Sequence, residues 1–197
     1  MIVFYQNPFY INFFEEFIDQ REKIKEIILN NLSKKTFKKY EQLPSCLLGI
    51  HLRRGDFPAQ YRISNEDIIK IINFFNNRYN KYLPINIFTD SPPALISDIL
   101  KIPNVKYENS FNVMIDLLKL SKCKIIIPSA YSTFSNWACF LSNGIVLRHP
   151  KDIIKKPIRN SNLFIETYFN ENFNISDKKV LEKIDEIIET HFKNSNF

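Results

Sequence analysis

Glycine is scarce: the 197-residue chain holds three, Gly49, Gly55 and Gly144. Long glycine-rich phosphate loops are excluded, and no GxGxxG follows the first strand-like run, so a dinucleotide-dependent dehydrogenase has no support. Any anion site must use arginines, hydroxyls and helix N-termini instead. Cysteine is as rare, with Cys46, Cys123 and Cys139 present and no CxxC spacing. An odd count without pairs argues against a disulfide framework and against zinc, and no metal site is expected. Cys46 and Cys123 adjoin apolar runs and are expected to be small buried hydrophobes in a reducing compartment. No run of ~18 apolar residues occurs, so no segment is expected to span a bilayer. Met1–Tyr10 has no basic stretch and carries Gln6 and Asn7, so no signal peptide is expected. The expected location is the cytoplasm, compatible with peripheral contact at the inner face of a membrane. Internal repeats and low-complexity segments are absent.

What is present suits a folded domain. Hydrophobic residues make up 45% of the chain, with 18 Phe and 9 Tyr, enough to bury a substantial core. A net charge of +6 favours an anionic partner: a nucleotide, a nucleic acid or a membrane surface. The lysines are scattered rather than gathered into a stripe, and no aromatic–basic interleaving or docking motif marks a nucleic-acid binder. Nucleic acid is therefore not an expected partner.

Hydrophobic periodicity divides the chain into alternating elements. Asn12–Leu32 reads as a helix with Phe13, Phe14, Phe17, Ile24, Ile27 and Ile28 at helical spacing, and Phe9, Phe13 and Phe17 read as core. Ser33–Ser45 is polar, lysine-rich and closed by Pro44, as a connector would be. Leu47–Arg53 is the first strand. Ser64 caps a helix buried through Ile68, Ile71, Ile72 and Phe75, with Asp67 at capping-box spacing. Ile85–Phe88 is the second strand, Pro92–Leu100 a short helix and Asn104–Tyr107 the third strand. Asn112 caps Val113–Ser121, whose Met114, Leu117, Leu118 and Leu120 mostly face inward, while Asp116 is expected to be exposed or cation-paired. Lys124–Ile127 is the fourth strand. Ser132 or Thr133 starts the next helix, and Gly144 stands where a helix C-terminus favours it. Ile145–Leu147 is a fifth strand. Arg148–Asn174 lacks clear periodicity, and Ser176–Phe192 is an amphipathic helix on Val180, Leu181, Ile184, Ile187 and Ile188. Strand and helix in alternation mean an α/β fold, a Rossmann-like parallel sheet flanked by helices. The expected organisation is an N-terminal helical segment and connector over 1–45, the Rossmann-like domain over 46–150, and a C-terminal extension over 151–197.

The stretch with most chemical content is Leu47–Phe57, an apolar run ending in His51, Arg53, Arg54, Gly55 and Asp56. Apolar residues followed by charge describe a buried parallel strand surfacing at its carboxyl end, where ligands bind in open α/β sheets. Guanidinium groups there suit phosphate or carboxylate. Neighbouring side chains leave a strand on opposite faces, so the expectation is that Arg53 meets an anion while Arg54 pairs with Asp56 or another carboxylate. Gly55 lets the backbone turn sharply or approach a ligand closely. Taken alone, the same residues could simply face water. Two further strand ends are polar: Thr89-Asp90-Ser91, and the turn from Pro128 to Ser135, where amides and hydroxyls at a helix N-terminus form an anion site.

Three segments in order, His51-Leu52-Arg53-Arg54-Gly55-Asp56-Phe57, Ile87-Phe88-Thr89-Asp90, and Cys123-Lys124 leading to Ser132-Thr133-Phe134-Ser135-Asn136-Trp137-Ala138, resemble the α-1,2-fucosyltransferase family. The likeness covers about Phe4–Leu147. It implies the donor-binding half of a two-lobed glycosyltransferase that uses GDP-fucose, needs no metal and acts on a galactose-containing glycan. By that resemblance Arg53 is catalytic, binding the donor diphosphate and stabilising departing GDP. His51, Arg54 and Asp56 share its segment in the donor site. Asp90 lies near guanine or ribose, and Ser132, Thr133 and Phe134 hold phosphate and nucleotide. The chain departs from the pattern at Phe57, in place of Tyr, and at Asn136, in place of the first of two Trp. In the family a whole lobe precedes the arginine segment, where this chain has 50 residues. A second reading is therefore a truncated or inactive GDP-sugar-binding module completed by another chain. Glu66, Asp67 and Asp116 each have a structural explanation, so no general base is assigned.

Overall fold

The computed structural model describes residues 14–152 and 165–194. After a 3-10 turn at Glu15–Gln20 come α1 (Arg21–Asn30), α2 (Lys34–Glu41), β1 (Leu48–Leu52), α3 (Asn65–Tyr79) and β2 (Ile85–Thr89). There follow α4 (Ser97–Leu100), β3 (Val105–Glu108), α5 (Val113–Ser121), β4 (Ile125–Ile127) and α6 (Thr133–Leu141). The last elements are β5 (Ile145–Arg148), β6 (Glu166–Tyr168) and α7 (Lys178–Asn194). The six strands form one sheet in the order β3-β2-β1-β4-β5-β6, and every pairing is parallel.

Both faces of the sheet are covered, and strand alternation shows how. Leu48, Ile50, Leu52, Ile85, Ile87, Ile125, Ile127, Ile145 and Leu147 face one core, with Ile68, Ile71 and Phe75 of α3 and Val180, Ile184 and Ile188 of α7. Phe88, Ile126 and Val146 face the other, with Leu120 of α5 and Ala138 and Cys139 of α6. Gly49 of β1 lies under α5, where a Cβ would sit 2.6 Å from Cys123 Sγ. Helices on opposite faces for the two halves of the sheet make this a doubly wound fold.

Several expectations change. The 14–30 stretch is a 3-10 turn and then a helix, while residues 12 and 13, like Phe9, lie outside the described residues. Phe14 is fully buried but Phe17 is 42% exposed, so the aromatic stripe is not continuous core. Arg21 is buried instead: its Nε donates to Phe140 O (2.5 Å), and Nη2 to Leu141 O (3.0 Å), Ser142 O and Asn143 Oδ1 (both 2.6 Å). A guanidinium thus closes the carbonyl end of α6. The stretch read as a connector contains α2, capped by Ser33 Oγ accepting from Thr36 N (3.2 Å). Cys46 and Cys123 are not separate thiols but a disulfide, Cα–Cα 4.5 Å, joining the chain just before β1 to that just before β4. Cys139 is buried and takes no part in the disulfide. Gly144 does not take the left-handed conformation; a Cβ there would stand 2.4 Å from Cys123 O, so close backbone approach accounts for it. The aperiodic stretch after β5 supplies β6, anchored where Arg148 Nε donates to Glu166 Oε1 (2.5 Å) and Nη1 to Asp152 Oδ2 (2.7 Å). No described helix is long and apolar enough to cross a membrane.

Candidate active site

The strand order reverses between β1 and β4: β1 leads through α3 to β2 on one side, and β4 through α6 to β5 on the other. Loops diverge at such a point and leave a crevice at the carboxyl ends of the strands. Arg53 is the first residue beyond β1, and its backbone N–H donates to Ser129 Oγ (3.2 Å) in the turn after β4. The arginine segment and the start of α6 therefore meet across the switch point.

Within the crevice Arg53 is clamped by two carboxylates. Nη1 donates to Asp90 Oδ2 (2.6 Å) at the end of β2, and Nη2 pairs with Asp56. Asp90 also accepts from the backbone N–H of Arg54 through Oδ1 (2.8 Å). Burial opposes ionisation of Asp90, but the amides of Arg54 and Gly55 and the Arg53 guanidinium outweigh it and hold its carboxyl below the usual carboxylate range. Gly55 is required by that packing, since a Cβ would lie 2.6 Å from Asp90 Oδ2. The Arg53 side chain remains 35% exposed, so its guanidinium still reaches the crevice.

The expected pairing of Arg54 with Asp56 or another carboxylate does not occur among the described residues. Arg54 is buried, and Nη2 donates to Asn65 Oδ1 (2.9 Å) at the start of α3. Asn65 in turn donates to Leu95 O (3.0 Å) and Asp98 Oδ1 (2.9 Å). The pairing is exchanged because β1 stops at Leu52: the chain turns, Phe57 N donating to Arg54 O (3.3 Å), and this brings Asp56 beside Arg53. His51, still within β1, turns toward α6, its ring 4.8 Å from that of Phe134. Burial pushes its pKa down to about 3, outweighing the opposing pull of Asp90, so the imidazole is neutral. Its Nδ1 is buried without a hydrogen-bond partner.

At the other wall Ser132 is the N-cap of α6, its Oγ accepting from Ser135 N (3.5 Å). Thr133 is exposed in the first turn, and Phe134 is half-buried against His51. The first amides of a helix have no intrahelical partner and carry positive potential, so this end of α6 faces the crevice as an anion-binding surface. His51, Arg53, Asp56, Asp90, Ser132, Thr133 and Phe134 are thus drawn together; Arg54 contributes its backbone, with its side chain directed to α3.

Some groups were not foreseen. Ser129 is buried and ties the two loops through its hydroxyl, a role hinted at only by its place two residues after β4. Asn136 is no bystander either, since its Oδ1 accepts from Nη1 of the buried Arg148 (3.2 Å). Asp67 does not complete a capping box with its carboxylate: Ser64 Oγ accepts from Asp67 N (3.0 Å), while Asp67 Oδ2 lies 3.5 Å from His149 Nε2. Asp116 is satisfied by the Ser110 backbone N–H (3.1 Å) rather than by a cation. Among the described residues no three His, Cys, Asp or Glu side chains are grouped to hold a metal ion.

A doubly wound parallel sheet with a guanidinium and a helix N-terminus at its switch point defines an α/β protein with an anion-binding crevice where such folds take their ligands. The chain belongs to Glycosyl transferase family 11, whose profile matches residues 2–174. The match bears out the resemblance traced through the three segments and extends it toward the C-terminus, through β6. No curated protein matches the chain. Similar solved structures include E. coli heptosyltransferase WaaC with ADP, at 13% identity and TM-score 0.48, covering 83% of this chain and 48% of that one. NodZ α-1,6-fucosyltransferase soaked with GDP-fucose is similar at 19% identity and TM-score 0.42, over 59% of this chain and 43% of that one. POFUT1 in complex with GDP-fucose is similar at 10% identity and TM-score 0.43, over 70% and 46%. The chain spans less than half the length of each.

Proposed function

We propose that this chain binds GDP-fucose and transfers L-fucose to a galactose-containing glycan, with α-1,2 linkage. The observation that carries the reading is the hydrogen bond from Arg53 N to Ser129 Oγ, which joins the guanidinium and the α6 N-terminus in one crevice. Membership of Glycosyl transferase family 11 supports it. In such a transfer the bond from the sugar's anomeric carbon to the β-phosphate oxygen breaks, and a bond from an acceptor hydroxyl oxygen forms. The acceptor proton is released and GDP departs with the bonding pair. Negative charge therefore grows on the β-phosphate, and a fixed guanidinium with oriented amides lowers the barrier. Arg53 is the proposed catalytic residue. The α6 N-terminus with Ser132, Thr133 and Phe134 would hold phosphate and nucleotide, His51 would line the pocket, and Asp90 would hold Arg53 in place. These fixed positive groups would do the work of a metal ion, so we propose that no metal is required.

Isothermal titration with GDP tests the donor site. The wild-type chain should bind, and Arg53→Ala should weaken binding about 10- to 100-fold through loss of charge-assisted hydrogen bonds. An unchanged affinity would remove Arg53 from the site. The chain's span of under half the length of the solved structures favours one second reading, a GDP-sugar-binding module completed by another chain. GDP release from GDP-fucose with acceptor sugars present separates the two, since the module alone would bind without turnover.

A further inference from the structure

The two loops that meet at the switch point also carry aromatic rings that donor binding leaves unused. Phe57 follows Asp56, Tyr61 lies four residues on, and Tyr131 stands between Ser129 and Ser132. Their rings form a row: Phe57 and Tyr61 are 6.3 Å apart, Tyr61 and Tyr131 5.1 Å, with an interplanar angle of 44° for the second pair. The row runs from the β1 loop to the β4 loop across the boundary where the sheet reverses.

Two features mark these rings as more than packing. Tyr61 is 45% exposed, although burying a ring of that size is favourable, so a large aromatic face is left open to solvent between Phe57 of the β1 loop and Tyr131 of the β4 loop. Tyr131 has a φ of 61°, a left-handed conformation that a bulky L-residue adopts only where its surroundings impose it. That conformation sends its ring toward the larger core and Tyr61, while the next residue, Ser132, caps α6. Neither phenol oxygen has a hydrogen-bond partner among the described residues. Burial, then Asp152 and Tyr61, push the Tyr131 phenol upward, so it stays a neutral donor and acceptor.

We propose that Tyr61 and Tyr131 form the acceptor subsite, stacking against the apolar face of a hexopyranose of the β-galactoside type and hydrogen-bonding its hydroxyls. This inference rests on the donor-site reading above. A sugar ring presents C–H groups on one face and hydroxyls at its rim, which suits an amphipathic phenol ring. Position separates this subsite from the nucleotide. Asp90 lies on the β2 side of Arg53 and Tyr131 on the β4 side, so a donor whose nucleoside lies toward Asp90 leaves the aromatic row to the incoming sugar. Arg62, beside the row, is held on backbone carbonyls, with Nε donating to Phe57 O (2.7 Å), and shapes the loop rather than offering an anion contact.

Saturation-transfer NMR with methyl β-D-galactopyranoside, recorded with and without GDP, tests the subsite, and GDP titration runs in parallel. The wild-type chain should transfer saturation to the galactoside. Tyr61→Ala should weaken that signal about fivefold or more and leave GDP affinity within about twofold, while Tyr61→Phe should keep most of the stacking. No galactoside signal in the wild type, or an equal signal in Tyr61→Ala, overturns the proposal. A fall in GDP affinity matching that of Arg53→Ala also overturns it, by assigning the rings to the nucleotide. If the wild type fails to bind GDP yet shows the Tyr61-dependent galactoside signal, the donor reading fails and the sugar subsite stands.

Discussion

Asp90 organises more of the crevice than the arginine it faces. One carboxylate oxygen accepts from the Arg53 guanidinium and the other from the Arg54 backbone N–H, so a single side chain fixes both the charge and the turn after β1. Asp90→Ala should therefore cost about tenfold in GDP affinity, as Arg53 loses its orientation. Gly55→Ala should do the same without touching a charge, because the new Cβ would meet Asp90 Oδ2 at 2.6 Å and displace it. Titration of both variants with GDP, beside circular dichroism to show that each is folded, checks this; wild-type affinity in Gly55→Ala would dissociate the turn from the site. The residues were legible in the sequence as charge at a strand end, but the partners were not. Strand alternation separates Arg53 from Arg54 correctly, yet which arginine takes Asp56 depends on where the strand stops, and Leu52 is its last residue.

Among the elements, α6 shows both what sequence patterns reveal and what they hide. Its start was readable, because a hydroxyl before an apolar stretch is a local signal and Ser132 does cap it. Its end was not, because the group that satisfies it comes from Arg21, about 120 residues earlier in the chain. Gly144 looked like a left-handed cap, whereas it is small to let the chain pass the carbonyls of Cys123 and Lys124. Two elements carry no local sequence signal for a related reason. α2 buries no side chain and so has no apolar stripe; Lys122 reaches it from the end of α5, Nζ donating to Tyr40 O (2.7 Å). β6 is three residues, Glu166-Thr167-Tyr168, with no apolar run, and it becomes a strand by pairing with β5 beside the buried Arg148. Arg21→Ala should leave the α6 carbonyls buried and unpaired and cost about 2–4 kcal/mol of unfolding free energy. Urea denaturation followed by far-UV circular dichroism reads this directly, and a loss under about 0.5 kcal/mol, the scale of an inert surface change, would contradict the capping role.

At the scale of the whole molecule the alternation of strands and helices was plain in the sequence, while the strand order was not. Alternation fixes a parallel sheet; the reversal between β1 and β4 depends on α3 covering one face and α5 and α6 the other, which no local pattern encodes. The same two central strands are tied by the Cys46–Cys123 disulfide at their amino ends, opposite the crevice at their carboxyl ends. An odd cysteine count without paired spacing concealed it, because the partners are 77 residues apart and only the β1–β4 pairing brings them together. A bridge closing a loop of that length restricts the unfolded chain by about 4 kcal/mol in the chain-entropy account. Reduction, or the Cys46→Ser and Cys123→Ser pair, should lower Tm by roughly 10 °C for a chain of this size. GDP affinity measured well below that Tm should be unaffected, since the staple and the site lie at opposite ends of the strands. Calorimetry with and without reductant, beside a count of alkylatable thiols in the denatured chain, decides the matter. Without reductant one thiol should react; three reacting thiols and an unmoved Tm would mean that the central strands hold together without the bridge.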